Sequence, residues 1–236
     1  SGVLTVTAAP QVIAYANADG DALISGDGTA EGYVHSDSVC AVGISVGHGD
    51  NFIATGGTFA VTASPVASAD AISDADGVGE FREPDSRTTS IVSADNALAV
   101  GVQTGSGNNT VFNDGAFSVT AAPSAGMANA IASFGADVLG IDSFANATAT
   151  ANDSRAYGIK TGNGDNTVWN TETGTITVQS APEAVANAFA AGVGNDGDAG
   201  AYATARADNA LAVAVITGSG NDTVVNEGTI SAYVTP

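Results

Sequence analysis

The chain has 236 residues, 25 of them acidic against 5 Lys plus Arg, for a formal charge of −20; 44% are hydrophobic and 6% aromatic. Such a chain has no basic patch to neutralise phosphates, so nucleic acid and anionic membranes are excluded as partners, while cations suit it. A lone Cys40 rules out an internal disulfide framework and a cysteine-based zinc site. No run of about 18 apolar residues is present, so no helix is expected to insert into a bilayer.

Self-similarity organises the rest. A glycine-rich string recurs as GHGDNFI at 47–53, GSGNNTV at 105–111, GNGDNTV at 162–168 and GSGNDTV at 218–224. It is preceded each time by AVGISVG, AVGVQTG, AYGIKTG or AVAVITG. A short segment follows that ends in proline, at Pro65, Pro123, Pro182 and Pro236. The spacing divides residues 1–236 into one continuous array: units 2–56, 57–114, 115–173 and 174–227, with a final repeat strand 228–236.

In chain order, the first element, SGVLTVTAAP, is a copy of the strand segments that end in the later prolines. Next come Ala41–Ile44, the corner string, the charged loop GEFREPDSR at 79–87, the alternating run ANATATA at 145–151, and Thr175–Val178. Alternation with β-branched residues predicts strands, and no segment carries a helical period. Gly, Asn and Asp clusters supply the turns between them. The expected class is all-β, a parallel β-solenoid of four repeats with a narrow, Ala-filled core and two or three rungs per repeat.

Parity places Val42 and Ile44, Val100 and Val102, Tyr157 and Ile159, and Val213 and Val215 inside. The side carrying Ser45, Gln103 and Lys160 then faces out. That outer face is flat and built of small residues, which suits lateral packing with other solenoids. Asn113, Asn170 and Asn226, with Thr55 in the first unit, form a corner column able to bond from rung to rung. Cys40 is expected to be a small core residue and His48 to be exposed.

The full pattern, a glycine–asparagine corner followed by Ala/Thr alternation, resembles the repeats of bacterial surface proteins, autotransporter passengers and solenoid adhesins above all. That resemblance implies a secreted, cell-surface stalk or fibre. GSGNDTV also resembles half of the repeats-in-toxin nonapeptide, which implies Ca²⁺ as a cofactor with Asp50, Asp165 and Asp222 as metal ligands. The second unit departs from this by carrying Asn108 and Asn109. Asp19 and Asp21, Asp74 and Asp76, and Asp196 and Asp198 are further acids, since Ca²⁺ takes six to eight oxygens.

Two function classes follow. Neither end of the array reads as a polar cap, so Val3, Leu4 and Val6 at one end and Ile230 and Val234 at the other form an expected polymer interface, making a head-to-tail homopolymer. The alternative is an adhesin module that contacts a glycan or a cell surface through Phe112, Trp169, Arg82 or Arg87. No catalytic constellation is present in the sequence, and the chain is not expected to be an enzyme.

Overall fold

A computed structural model describes residues 2–22, 28–77, 85–133, 142–191 and 198–235. The first coil holds β1 (Gly2–Ala8), β2 (Gln11–Ala22), β3 (Gly28–His35), β4 (Cys40–Val46) and β5 (Phe52–Thr55). The second holds β6 (Gly57–Ala63), β7 (Val66–Gly77), β8 (Ser86–Ser93), β9 (Leu98–Thr104) and β10 (Thr110–Asn113). The third runs through β11 (Ala116–Ala121), β12 (Ser124–Ser133), β13 (Ser143–Thr150), β14 (Arg155–Lys160) and β15 (Thr167–Asn170). The fourth comprises β16 (Thr175–Ser180), β17 (Glu183–Ala190), β18 (Ala199–Arg206), β19 (Leu211–Ile216) and β20 (Thr223–Asn226), and β21 (Thr229–Val234) opens a fifth.

Every coil lays its strands parallel on those of the coil before, which makes a parallel β-solenoid of five ladders. Sheet A is β1-β6-β11-β16-β21; sheets B, C, D and E follow in chain order from β2, β3, β4 and β5, with four strands each. Gly2 pairs with Gly57, and Thr110 with Phe52 on one side and Thr167 on the other. Each repeat is therefore one coil of five strands, not two or three rungs. The contour is absorbed by an arm. The long strands of sheet B run outward and those of sheet C return, face to face with them.

The residue sizes explain the arm. Its core is Ala67, Ala69, Ala125, Ala128, Ala130, Ala132, Ala145, Ala147, Ala149 and Ala151, with Val34 and Val92. Methyl groups cannot fill the usual gap of about 10 Å between stacked sheets, so the two sheets close together. Hydroxyls then reach across to backbone carbonyls of the opposite sheet. Thr88 Oγ1 donates to Ile131 O at 2.9 Å, Ser90 Oγ to Ala69 O at 2.9 Å and Ser143 Oγ to Ala132 O at 2.9 Å. These three buried hydroxyls are thereby satisfied, and the arm packs like a dry zipper.

Sheets A, D and E enclose a second core of larger residues, including Phe59, Val61, Phe117, Val119, Ile159, Ile176 and Val178. The Phe59 and Phe117 rings stack at 4.6 Å and 14°. They lie against Gly43 and Gly101 of sheet D. A Cβ on Gly101 would overlap the tip of the Phe117 ring and come within 2.6 Å of the Gly158 carbonyl.

That close approach corrects the parity of sheet D. Ile44, Val102, Ile159 and Val215 belong to the core, as expected. Ala41, Ala99 and Ala156 also face inward, however, so Val42, Val100, Tyr157 and Val213 do not form an inner column. Tyr157 stands outside, with Lys160 Nζ 5.8 Å from its ring centre. Strict alternation breaks at the glycine, where Gly101 and Val102 both turn inward. Cys40 likewise lies on the outer face in register with Leu98, and is exposed rather than a core residue.

Candidate functional site

The D-to-E corner is the most elaborate polar structure among the described residues. Gly49, Gly107, Gly164 and Gly220 take φ of 118°, 135°, 126° and 143°, a region that L side chains avoid. Asn109 closes the loop by donating Nδ2 to Gly105 O at 3.1 Å and Gly107 O at 2.8 Å, and Asn166 repeats this at Gly162 and Gly164. The same amides run between coils. Asn51 Nδ2 donates to Asn109 Oδ1 at 2.7 Å, Asn109 to Asn166 Oδ1 at 2.9 Å, and Asn166 to Asp222 Oδ1 at 2.8 Å.

The expected Asn column at the E-to-A corner is a second ladder. Thr55 Oγ1 donates to Asn113 Oδ1 at 2.8 Å, Asn113 Nδ2 to Asn170 Oδ1 at 2.7 Å, and Asn170 Nδ2 to Asn226 Oδ1 at 2.8 Å. A third polar corner joins sheets C and D. Ser38, Asn96, Asp153 and Asn209 all sit at φ of 55–62° there, and Asp37 Oδ1 and Asp95 Oδ1 accept the amides of Asp95 and Asn152 one coil on. Its signal in the repeats is an Asp/Asn/Ser pair at 37–38, 95–96, 152–153 and 208–209, residue types that tolerate or cap a positive-φ turn.

The candidate metal ligands fall in two columns. Asp50, Asn108, Asp165 and Asn221 occupy one, where Asp50 Oδ1 accepts the Asn108 amide at 2.8 Å and Asp165 Oδ1 the Asn221 amide at 2.8 Å. Asp50 and Asp165 are two coils apart, about 9.6 Å at the strand spacing of a sheet. Asp222 ends the neighbouring Asn51-Asn109-Asn166 column, and the side-chain and backbone N–H groups of Asn166 hold its carboxyl below the usual range. Asp114 is lowered in the same way by the hydroxyls of Thr173 and Thr171. These oxygens serve as acceptors that tie one coil to the next. Among the described residues, no three His, Cys, Asp or Glu side chains are grouped as a metal site would need. Asp19 and Asp21 stand in β2 and Asp74 and Asp76 in β7; Asp196 lies outside the described residues.

Of the expected contact residues, Phe112 and Trp169 are neighbours on the outer face of sheet E. They meet edge to face at 5.8 Å and 76°, and Trp169 Nε1 donates to Glu227 Oε2 at 3.1 Å. Arg87 projects from the outer face of sheet C, away from them, and Arg82 lies outside the described residues. His48 is exposed, and its Nδ1 accepts the Ser106 amide at 3.1 Å.

The expected interface residues lie on the two outermost strands of sheet A. Leu4 and Val6 continue the inner columns of Phe59 and Val61, while Val3 is in register with the outward Thr58. At the other end Ile230 continues the column of Ile176 and Val234 that of Ser180. Phe59 and Phe117 are 5% and 1% exposed, yet Leu4 in the same column is 43% exposed because no strand covers it. No protein-family model, curated protein or solved structure matches the chain.

Proposed function

We propose that the chain is a mechanical element of an extracellular fibre, a stiff acidic β-solenoid whose copies join head to tail along the solenoid axis. The carrying observation is the unbroken parallel stacking of the five ladders, in which the inner column of Leu4, Phe59, Phe117, Ile176 and Ile230 presents a similar apolar surface at every coil. Strand edges with free N–H and C=O groups template further pairing. A heterologous contact between two different ends extends without closing, and so makes a filament.

The strand count sets the form of the junction. Sheet A holds five strands and each other sheet four. For all five ladders to run through a junction between two copies of this polypeptide, β1 of one copy must take the place of β21 of the other, or the reverse. The inner columns suit either exchange, since both strands present aliphatic residues to the Phe/Ile stack. Like charge opposes approach of the rods, and salt screens it.

Light scattering of the purified polypeptide tests this reading. Scattering is expected to grow with protein concentration and ionic strength, and to grow faster after removal of residues 1–9, which relieves the competition for one strand position. Particles of constant mass across both series would refute it. A chelator arm tests calcium separately: loss of growth on chelation makes the ion part of the junction.

A further inference from the structure

The outer face of sheet C carries an aromatic depression in which only Arg87 was singled out as a contact residue. Register brings Arg87, Phe144 and Gly200 into one column, and Thr89, Asn146 and Tyr202 into the next. Together these two columns surround a shallow cavity of about 280 Å³, lined by Arg87, Thr89, Phe144, Asn146 and Tyr202. Tyr202 is 67% exposed. The Phe144 ring leans over Gly200: a Cβ there would come within 3.0 Å of Phe144 Cδ1 and 3.4 Å of Tyr202 Cε2. The missing side chain is what lets both rings settle beside each other.

Arg87 is the second feature. Its guanidinium carbon lies 5.9 Å from the Phe144 ring centre. Arg155 is held by Asp153 at 3.1 Å and Arg206 by Asp208 at 3.2 Å. Among the described residues Arg87 has no carboxylate within ion-pair distance, so it lacks the pairing that holds Arg155 and Arg206.

The surroundings narrow the ligand. β13 is paired on both sides, by β8 and β18, so its backbone has no edge to offer an extended peptide. Recognition here rests on side chains alone. A charge of −20 disfavours polyanions. What remains is an exposed aromatic ring ringed by a guanidinium, a side-chain amide and a hydroxyl.

We propose that this depression binds an uncharged pyranose of a glycan. The apolar C–H face of the sugar stacks on Tyr202. Arg87 donates to ring hydroxyls, and Asn146 and Thr89 exchange hydrogen bonds with them. The neighbouring coil supplies Thr29 and Glu31 at the corresponding positions, so among the described residues the site occurs once. It does not depend on end-to-end stacking, and single rods and filaments bind alike.

Saturation-transfer NMR on the whole chain tests the assignment, with cellotetraose, maltotetraose and chitotetraose as neutral probes and trigalacturonate as an acidic one. Transfer to at least one neutral tetrasaccharide is expected, weakened roughly tenfold by Tyr202→Ala. Gly200→Val keeps every lining side chain but displaces the Phe144 ring, and should weaken binding to a similar degree. Trp169→Ala should leave it unchanged. Far-UV circular dichroism checks that each variant keeps its strands, and the exposure of Tyr202 makes its alanine variant the safe one. No transfer from any neutral probe, transfer that survives Tyr202→Ala, or preference for trigalacturonate would overturn the proposal.

Discussion

Replacing Asn170 by alanine should be one of the most damaging single polar changes in the chain. Asn170 is 0% exposed. Its Oδ1 accepts from Asn113 at 2.7 Å, and its Nδ2 donates to Asn226 Oδ1 at 2.8 Å and Gly174 O at 3.1 Å. With a longer bond from Nδ2 to Thr229 O at 3.3 Å, four side-chain hydrogen bonds disappear together, and the three shorter ones contribute about 1 kcal/mol net each. The neighbours soften the loss. Asn113 Nδ2 keeps the Gly115 and Thr175 carbonyls, and Gly174 O keeps the Thr229 amide. The expected loss is therefore about 3 kcal/mol rather than the larger penalty of an orphaned amide. Asn226→Ala, at the exposed end of the same ladder, should lose about 1 kcal/mol, because water replaces its partners. Asn170→Asp should exceed Asn170→Ala, since it turns a carboxylate toward the Gly174 carbonyl. Urea unfolding followed by far-UV circular dichroism measures all three. Equal losses at Asn170 and Asn226 would refute the ladder as a stabilising structure, leaving the asparagines as turn formers only.

Three further outcomes follow from the same geometry. Gly101→Ala should destabilise by about 3 kcal/mol through overlap with Phe117. Adding Phe117→Leu should restore only part of it, because the Gly158 carbonyl still stands 2.6 Å away; a double-mutant cycle in urea checks this. Asp222 has a lowered pKa in the folded chain, so its contribution is present above the unfolded value of about 3.9 and lost as pH falls through the folded value. Asp222→Asn, which continues the amide column, should flatten the acid limb of melting temperature against pH below about pH 4 while leaving neutral stability unchanged.

Much of the fold could be read from spacing. The recurrence of the Gly-x-Gly string sets the register of sheets C, D and E, the Gly-to-Pro segment sets that of sheet A, and the Asn113, Asn170 and Asn226 column follows directly. The rung count was not legible, because a 57-residue repeat fits several short coils as well as one flattened coil. Only the closeness of the two Ala sheets selects the latter. Face assignment failed in sheet D for a related reason. Gly101 has no side chain to mark its direction, and the break in alternation there depends on the Phe117 ring in a strand from another part of the coil. Cys40 followed that error to the wrong face. The Arg87–Phe144–Tyr202 depression left no repeat signal, since each residue departs from its own column: Thr29 and Gly200 share the first, Glu31 and Thr89 the second. The D-to-E asparagine ladder, through Asn51, Asn109 and Asn166, was visible as turn chemistry, but its bonds between coils needed coordinates.

The most direct test of the account is electron microscopy of the purified polypeptide at moderate salt. Unbranched filaments are predicted, with an axial subunit repeat of about 19 Å, four coils at the strand spacing of about 4.8 Å. Separate single particles of fixed size at every concentration and salt would contradict end-to-end joining.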